Sequence, residues 1–201
     1  MNNEQKYPYY LALFAFVVFI IGMIAAYLTY SNYSAQTEYT SDLVRGPHPY
    51  IFKTTTILTG FLLLPFYPSV FQYSQIESNM IPKLGRIAGV ASVISLILVG
   101  IIDVNTHYRA HEVVAGGFFM GTAISLFLWL LMIINTRYNV NFQQITKNSI
   151  LFLSNIVFLC FMISMIVYFV FFAGSDGPVI QKVIIFGLIG YLTYYAIRMV
   201  E

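Results

Sequence analysis

Between Asp103 and Glu112 the chain places two acids, two histidines and an arginine within ten residues, Asp103-Val-Asn-Thr-His107-Tyr-Arg109-Ala-His111-Glu112. Only three histidines occur in 201 residues, and Asp, Glu, Lys and Arg together make up 9% of the sequence. Long apolar runs flank the cluster on both sides. A charge at the centre of a bilayer costs roughly 2.5–3.5 kcal/mol, and less toward its edge, so ionisable groups gathered at such a place point to function.

Three chemistries fit these residue types. If the helix begins by His107, then His107 and His111 are four residues apart on one face and can share a metal. Zinc needs at least a third protein ligand, from His48 or Asp103. Zinc-activated water, with Glu112 as base, would then hydrolyse a lipid ester or amide. Alternatively, Arg109 and Lys53 hold a lipid phosphate, and Asp42, Arg45 and His48 of an earlier loop complete the polar mouth. In the third reading the cluster is structural. Asp103 caps the hairpin or pairs with Arg109, and the histidines bond loop carbonyls.

The elements that must position the cluster are membrane helices. Hydrophobic residues are 59% of the chain, in blocks near the 20 or so residues that cross a bilayer. Six spans are expected, at about 9–30, 50–73, 85–104, 107–135, 149–173 and 179–200. The fold class is therefore all-α, a polytopic six-helix bundle forming one domain over 1–201, with no room for a soluble domain beside it. The first span is longer than a signal-peptide core and lacks a tidy cleavage site, which favours its retention. Tyr7, Tyr9, Tyr10, Tyr27 and Tyr30 bracket it as interfacial aromatics do, and Trp129 is expected to anchor another interface. Pro65 and Pro68 predict a kink in span two. Gly85, Gly89, Ser92 and Ser95 in span three, and Gly117 and Gly121 in span four, predict close helix packing. Cys160 is expected to serve packing, and span five to face lipid and neighbouring helices. The Gly174-to-Pro178 segment reads as a tight turn. Pro47 and Pro49 stiffen the backbone around His48. Asn32-Tyr-Ser matches a glycosylation sequon.

Six spans put both termini on one side. Lys6, Lys83, Arg86, Arg137, Lys147 and Arg198 fall on that side, and Arg45, Lys53, Arg109 and Lys182 on the other. This bias favours cytoplasmic termini. All three histidines then share the outer side with Glu38, Asp42, Asp103, Glu112 and Asp176. The absence of a Lys/Arg run excludes a nucleic-acid surface. Histidines deep in the spans, as heme would require, are missing, and no acid or base lies mid-span to serve a channel or pump.

Two segments carry a resemblance. Ser41-Asp42…Gly46-Pro47-His48-Pro49-Tyr50-Ile51-Phe52 resembles the loop after the first span in the DRAM-like family, the damage-regulated autophagy modulators and their lipid-remodelling relatives. Asp103…His111-Glu112-Val-Val-Ala115-Gly-Gly-Phe118-Phe119 resembles that family's signature across spans three and four. A prokaryotic six-span family of unknown function is equally similar. The resemblance covers spans one to four. Where such relatives have an acid early in the last span, this chain has Gln181. It implies a six-helix membrane protein with a role in lipid handling or membrane organisation, and it carries over Asp42, Asp103, His111, Ala115, Phe118 and Phe119.

The resulting expectation is a non-catalytic membrane protein that binds a lipid head group or a membrane partner at its outer mouth, without a cofactor. Two alternatives stand beside it. One is a zinc-dependent or acid–base lipid enzyme using His107, His111, Asp103, Glu112 and His48; the other is an accessory subunit of a larger membrane complex.

Overall fold

A computed structural model describes residues 3–72, 80–138, 149–172 and 174–200. Seven α-helices make up the described residues: α1 (Asn3–Leu28), α2 (Pro49–Leu63), α3 (Phe66–Gln72), α4 (Met80–Ile101), α5 (Tyr108–Tyr138), α6 (Ser149–Phe172) and α7 (Gly177–Val200). Short 3-10 segments at Thr40–Arg45 and Gly174–Asp176 lie before α2 and α7. Among the described residues, five stretches are long and apolar enough to cross a membrane: Glu4–Leu28, Pro49–Phe71, Met80–Ile101, Tyr108–Met132 and Gly177–Ile197. A shorter apolar stretch, Ile156–Phe171, lies in α6. This is a helical membrane protein, as the composition requires.

The helices form a ring in chain order. α1 packs on α2, α2 on α4, α4 on α5, α5 on α6 and α6 on α7, and α7 closes back on α1. The Lys6 ammonium donates to the Val200 carbonyl, so both termini lie at one end of the ring. That end is filled by aromatic rings. Trp129 is buried there, its ring centroid 4.4 Å from that of Tyr195 and 5.7 Å from that of Tyr191. Tyr9 is wholly buried against Phe66. Trp129 and Tyr9 are thus core residues and not the interfacial anchors expected from sequence. An indole or phenol suits either place, and only the neighbouring helices decide between them. Tyr7, Tyr10 and Tyr27 are exposed.

Pro65 breaks span two as expected. A proline supplies no amide hydrogen and crowds the preceding turn. α2 accordingly stops at Leu63 and α3 restarts at Phe66; the Phe61 carbonyl, which a residue-65 amide would have served, accepts the Leu64 amide at 3.4 Å, and the Ser69 hydroxyl donates to the Pro65 carbonyl at 2.8 Å. The small residues also lie where the spacing puts them. Ser92 of α4 and Thr122 of α5 are buried with their hydroxyl oxygens 2.6 Å apart. A Cβ added to Gly121 would lie 3.1 Å from the Ala88 carbonyl oxygen, and one added to Gly117 2.9 Å from the Ser95 hydroxyl. Gly85 and Gly89 admit the Phe71 and Tyr67 rings of α3. Cys160 is exposed on α6, so it faces outward instead of packing. Val157, Phe161 and Phe171 of the same helix are also exposed, the lipid-facing character expected of this span.

Candidate functional site

The end of the ring opposite the termini carries the sequence-predicted residues, but the fold divides them. Lys53 projects from the first turns of α2, and Asp103 follows the end of α4. Their side chains meet at 2.6 Å, each 29% exposed. Asp103 also accepts the Asn105 amide hydrogen at 2.8 Å, closing the tight turn before α5. The Lys53 hydrogen bond, helped by that amide, holds the Asp103 carboxyl below the ordinary carboxylate range. The partner of Asp103 is therefore Lys53 and not Arg109. Lys53, expected with Arg109 to hold a lipid phosphate, thus has a carboxylate partner of its own. Arg109 is exposed.

Asp42 is buried within the Thr40–Arg45 segment, where it bonds the Tyr39 amide at 2.8 Å and Arg45 at 3.2 Å. His48 is exposed, its ring nitrogen 3.2 Å from the Tyr50 hydroxyl. His107 immediately precedes α5 and is exposed, and Glu112 is exposed one turn into the helix. Of the three histidines, His111 turns inward, 4% exposed. The two rings thus do not come together: His107, at the N-cap, accepts the His111 amide hydrogen at 2.9 Å with its carbonyl and is exposed, while His111 is buried. No three His, Cys, Asp or Glu side chains among the described residues are gathered closely enough to hold a metal ion.

The interior beside His111 is the notable feature of this end. A cavity of about 100 Å³ lies within the ring, lined from α1, α2, α3, α4, α5 and α7. Its wall is mainly aliphatic and aromatic, including Phe16, Leu96, Phe118 and Leu188. Its polar members are few: Thr40, Ser41, Thr56, Thr59, Tyr67, His111, Thr122 and Gln181. Thr56 and Thr122 use their hydroxyls on the Phe52 and Phe118 carbonyls of their own helices. His111 Nδ1 is 2.8 Å from the Ile102 carbonyl oxygen. Its Nε2 is buried with no partner, and so are the Thr40 and Thr59 hydroxyls. Three unsatisfied polar atoms on one apolar cavity are unusual, since buried polar groups are nearly always paired.

Thr40–Arg45 roofs this space. The Thr40 amide donates to Gln181 Oε1 at 2.7 Å, tying the roof to α7. Lys182, the next residue, donates to the Glu38 carbonyl at 2.5 Å and lies over the Tyr33 ring. Tyr33 in turn donates toward the Glu38 and Tyr39 carbonyls. Burial and the nearby Asp42 carboxylate push the Tyr33 phenol up, keeping it protonated as a donor.

A family model described as "Protein of unknown function (DUF998)" matches residues 13–197. The chain belongs to that family. The match takes in both the roof and all the helices that line the cavity, so the site lies inside the family's domain. Neither a curated protein nor a solved structure matches the chain.

Sequence reasoning named His111 but missed its partners in the cavity. Thr40 carried no motif, Thr59 stood out only as one of the span-two threonines able to bond backbone or a neighbouring helix, and Gln181 only as a replacement for an acid. A buried polar residue on an otherwise apolar helix face was the available signal, and it required knowing which faces turn inward.

Proposed function

We propose that this DUF998 member binds one amphipathic lipid inside its helix ring, with the polar end under the Thr40–Arg45 roof. The observation that carries the reading is the unpartnered, buried Nε2 of His111 on an apolar cavity. Mostly apolar walls with a few convergent polar groups are the usual make-up of a small-molecule site. The reading moves the binding site from the charged rim to the space beneath it. It favours binding over acid–base catalysis, because no carboxylate among the described residues lines the cavity. Six spans with cytoplasmic termini complete the proposal and put the roof at the outer leaflet, where Arg45 and Arg109 face lipid phosphates. The likeness of the Asp42 and His111 segments to the DRAM-like family points toward the same lipid-handling role.

Lipid extraction of the protein purified in mild detergent tests this. A lipid at about one per chain is expected, and Ala115→Phe, which fills the cavity beside His111, is expected to remove it while the protein stays monodisperse. A wild-type protein without retained lipid, or equal retention by the filled variant, refutes the reading.

A further inference from the structure

His111 fixes the hydrogen-bonding character of the cavity's occupant, a step that rests on the lipid-binding reading above. The Ile102 carbonyl can only accept, so Nδ1 carries the proton in the 2.8 Å contact. In the uncharged ring Nε2 is then a bare acceptor. A second proton would leave an unpaired cationic N–H against a largely apolar wall with no carboxylate among the described residues that line it. Nε2 therefore calls for a donor. The Thr40 and Thr59 hydroxyls, also unpartnered on this cavity, can each give a hydrogen to an oxygen. A hydroxyl meets both demands at once. Ether and ester oxygens can only accept, and a phosphate brings charge that so apolar a space does not solvate.

The shape restricts the rest of the occupant. An apolar cavity of about 150 Å³ accommodates a benzene-sized molecule, so one of about 100 Å³ holds a polar group and a few carbons. A second space of about 400 Å³ adjoins it, shared at Phe19, Thr40 and Ile185. This groove runs between the roof-side halves of α1 and α7, lined by Ile20, Ile24 and Phe186 among others. The two helices converge at the terminal end, where Lys6 meets Val200 and Tyr9 meets Tyr195. The exposed Ile20, Ile24 and Phe186 place the groove at the lipid-facing surface.

We infer that the occupant is a single-chain amphiphile ending in a free hydroxyl. The hydroxyl donates to His111 Nε2 and accepts from a threonine, and the chain passes Phe19 and Ile185 into the α1–α7 groove. Long-chain alcohols and monoacylglycerols belong to this class.

The full chain in nanodiscs, labelled with ¹⁵N-histidine and carrying His48→Gln and His107→Gln, leaves His111 as its only imidazole. Titration with a long-chain alcohol and with its methyl ether separates the outcomes. The expected free state is the Nδ1–H tautomer. The alcohol is expected to shift Nε2 and to bind about fivefold more tightly than the ether, the worth of one net hydrogen bond. Thr59→Val, nearly isosteric and removing an unsatisfied hydroxyl, is expected to fold and to weaken alcohol and ether alike, because both oxygens accept from a threonine, leaving the preference set by His111. A protonated Nε2 in the free protein overturns the inference. So does equal binding of alcohol and ether without an Nε2 shift, which leaves the lipid-binding reading standing. Binding of neither probe overturns the inference, and the lipid extraction above then decides by itself whether the lipid-binding reading stands.

Discussion

The Lys53–Asp103 pair ties α2 to the α4–α5 turn, and its removal has a calculable cost. At 2.6 Å with both side chains 29% exposed, the pair is neither freely solvated nor fully buried. Exposed pairs contribute about 0–1 kcal/mol, and hydrogen bonds to charged groups about 1.5–3 kcal/mol. A coupling of about 1–2 kcal/mol follows for this intermediate setting. Asp103→Asn removes the charge but keeps an oxygen for the Asn105 amide, which bonds Oδ1 while Lys53 bonds Oδ2. Lys53→Met removes the other partner, and the double variant closes the cycle. Each single variant is expected to lose about 2 kcal/mol, or about 4–8 °C in melting temperature for a chain of this size. The double variant is expected to lose less than the sum by the coupling energy. Thermal unfolding in one detergent, followed by Trp129 fluorescence, supplies the data. Additivity within about 0.3–0.5 kcal/mol would refute the reasoning. pH gives an independent check. The folded Asp103 carboxyl titrates below its unfolded value of about 3.9. Its contribution is therefore fully present above that value and is lost as pH falls through the lower folded value. Asp103→Asn is expected to lack this acid-dependent component, and identical acid profiles would contradict it.

Other substitutions test the packing. Gly100→Ala places a Cβ 2.8 Å from the Lys53 backbone carbonyl oxygen, whereas nothing lies within 4 Å of a Cβ at Gly116. Gly100→Ala is thus expected to cost about 1–3 kcal/mol, while Gly116→Ala is neutral or gains up to about 1 kcal/mol of helix propensity. Melting temperatures that rank the other way would count against the α2–α4 contact. Trp129 is the chain's one tryptophan and is buried, so its emission is expected to be blue-shifted and insensitive to aqueous quenchers; strong iodide quenching would place it at an interface instead. Asp176 is exposed, so Asp103→Ala is expected to lower the melting temperature more than Asp176→Ala, and equal values would deny Asp103 its tie to Lys53.

Much of the architecture was legible before any coordinate. Apolar blocks of bilayer length had to become helices, because backbone polar groups in lipid must be satisfied within the segment. Pro65 had to interrupt its helix, and the glycines and serines of α4 and α5 had to mark a close approach. Those conclusions follow from local chemistry, and the helix ends differ from expectation by only a few residues near Asp103 and His107.

The partnerships of the polar groups were not legible in the same way. A sequence shows that Asp103, His107, Arg109 and His111 are neighbours along the chain, but not which way each one turns. Entry into α5 at Tyr108 sends His111 inward while His107 and Arg109 are exposed. The approach of α2 to α4 gives Asp103 its lysine from fifty residues away. Trp129 and Tyr9 are buried because α7 closes the ring beside them, which no feature of their own segments announces. Composition and periodicity thus determined that this chain is a bundle of membrane helices. Closure of the ring decided that it has an interior, and that His111, Thr40 and Thr59 face it without partners.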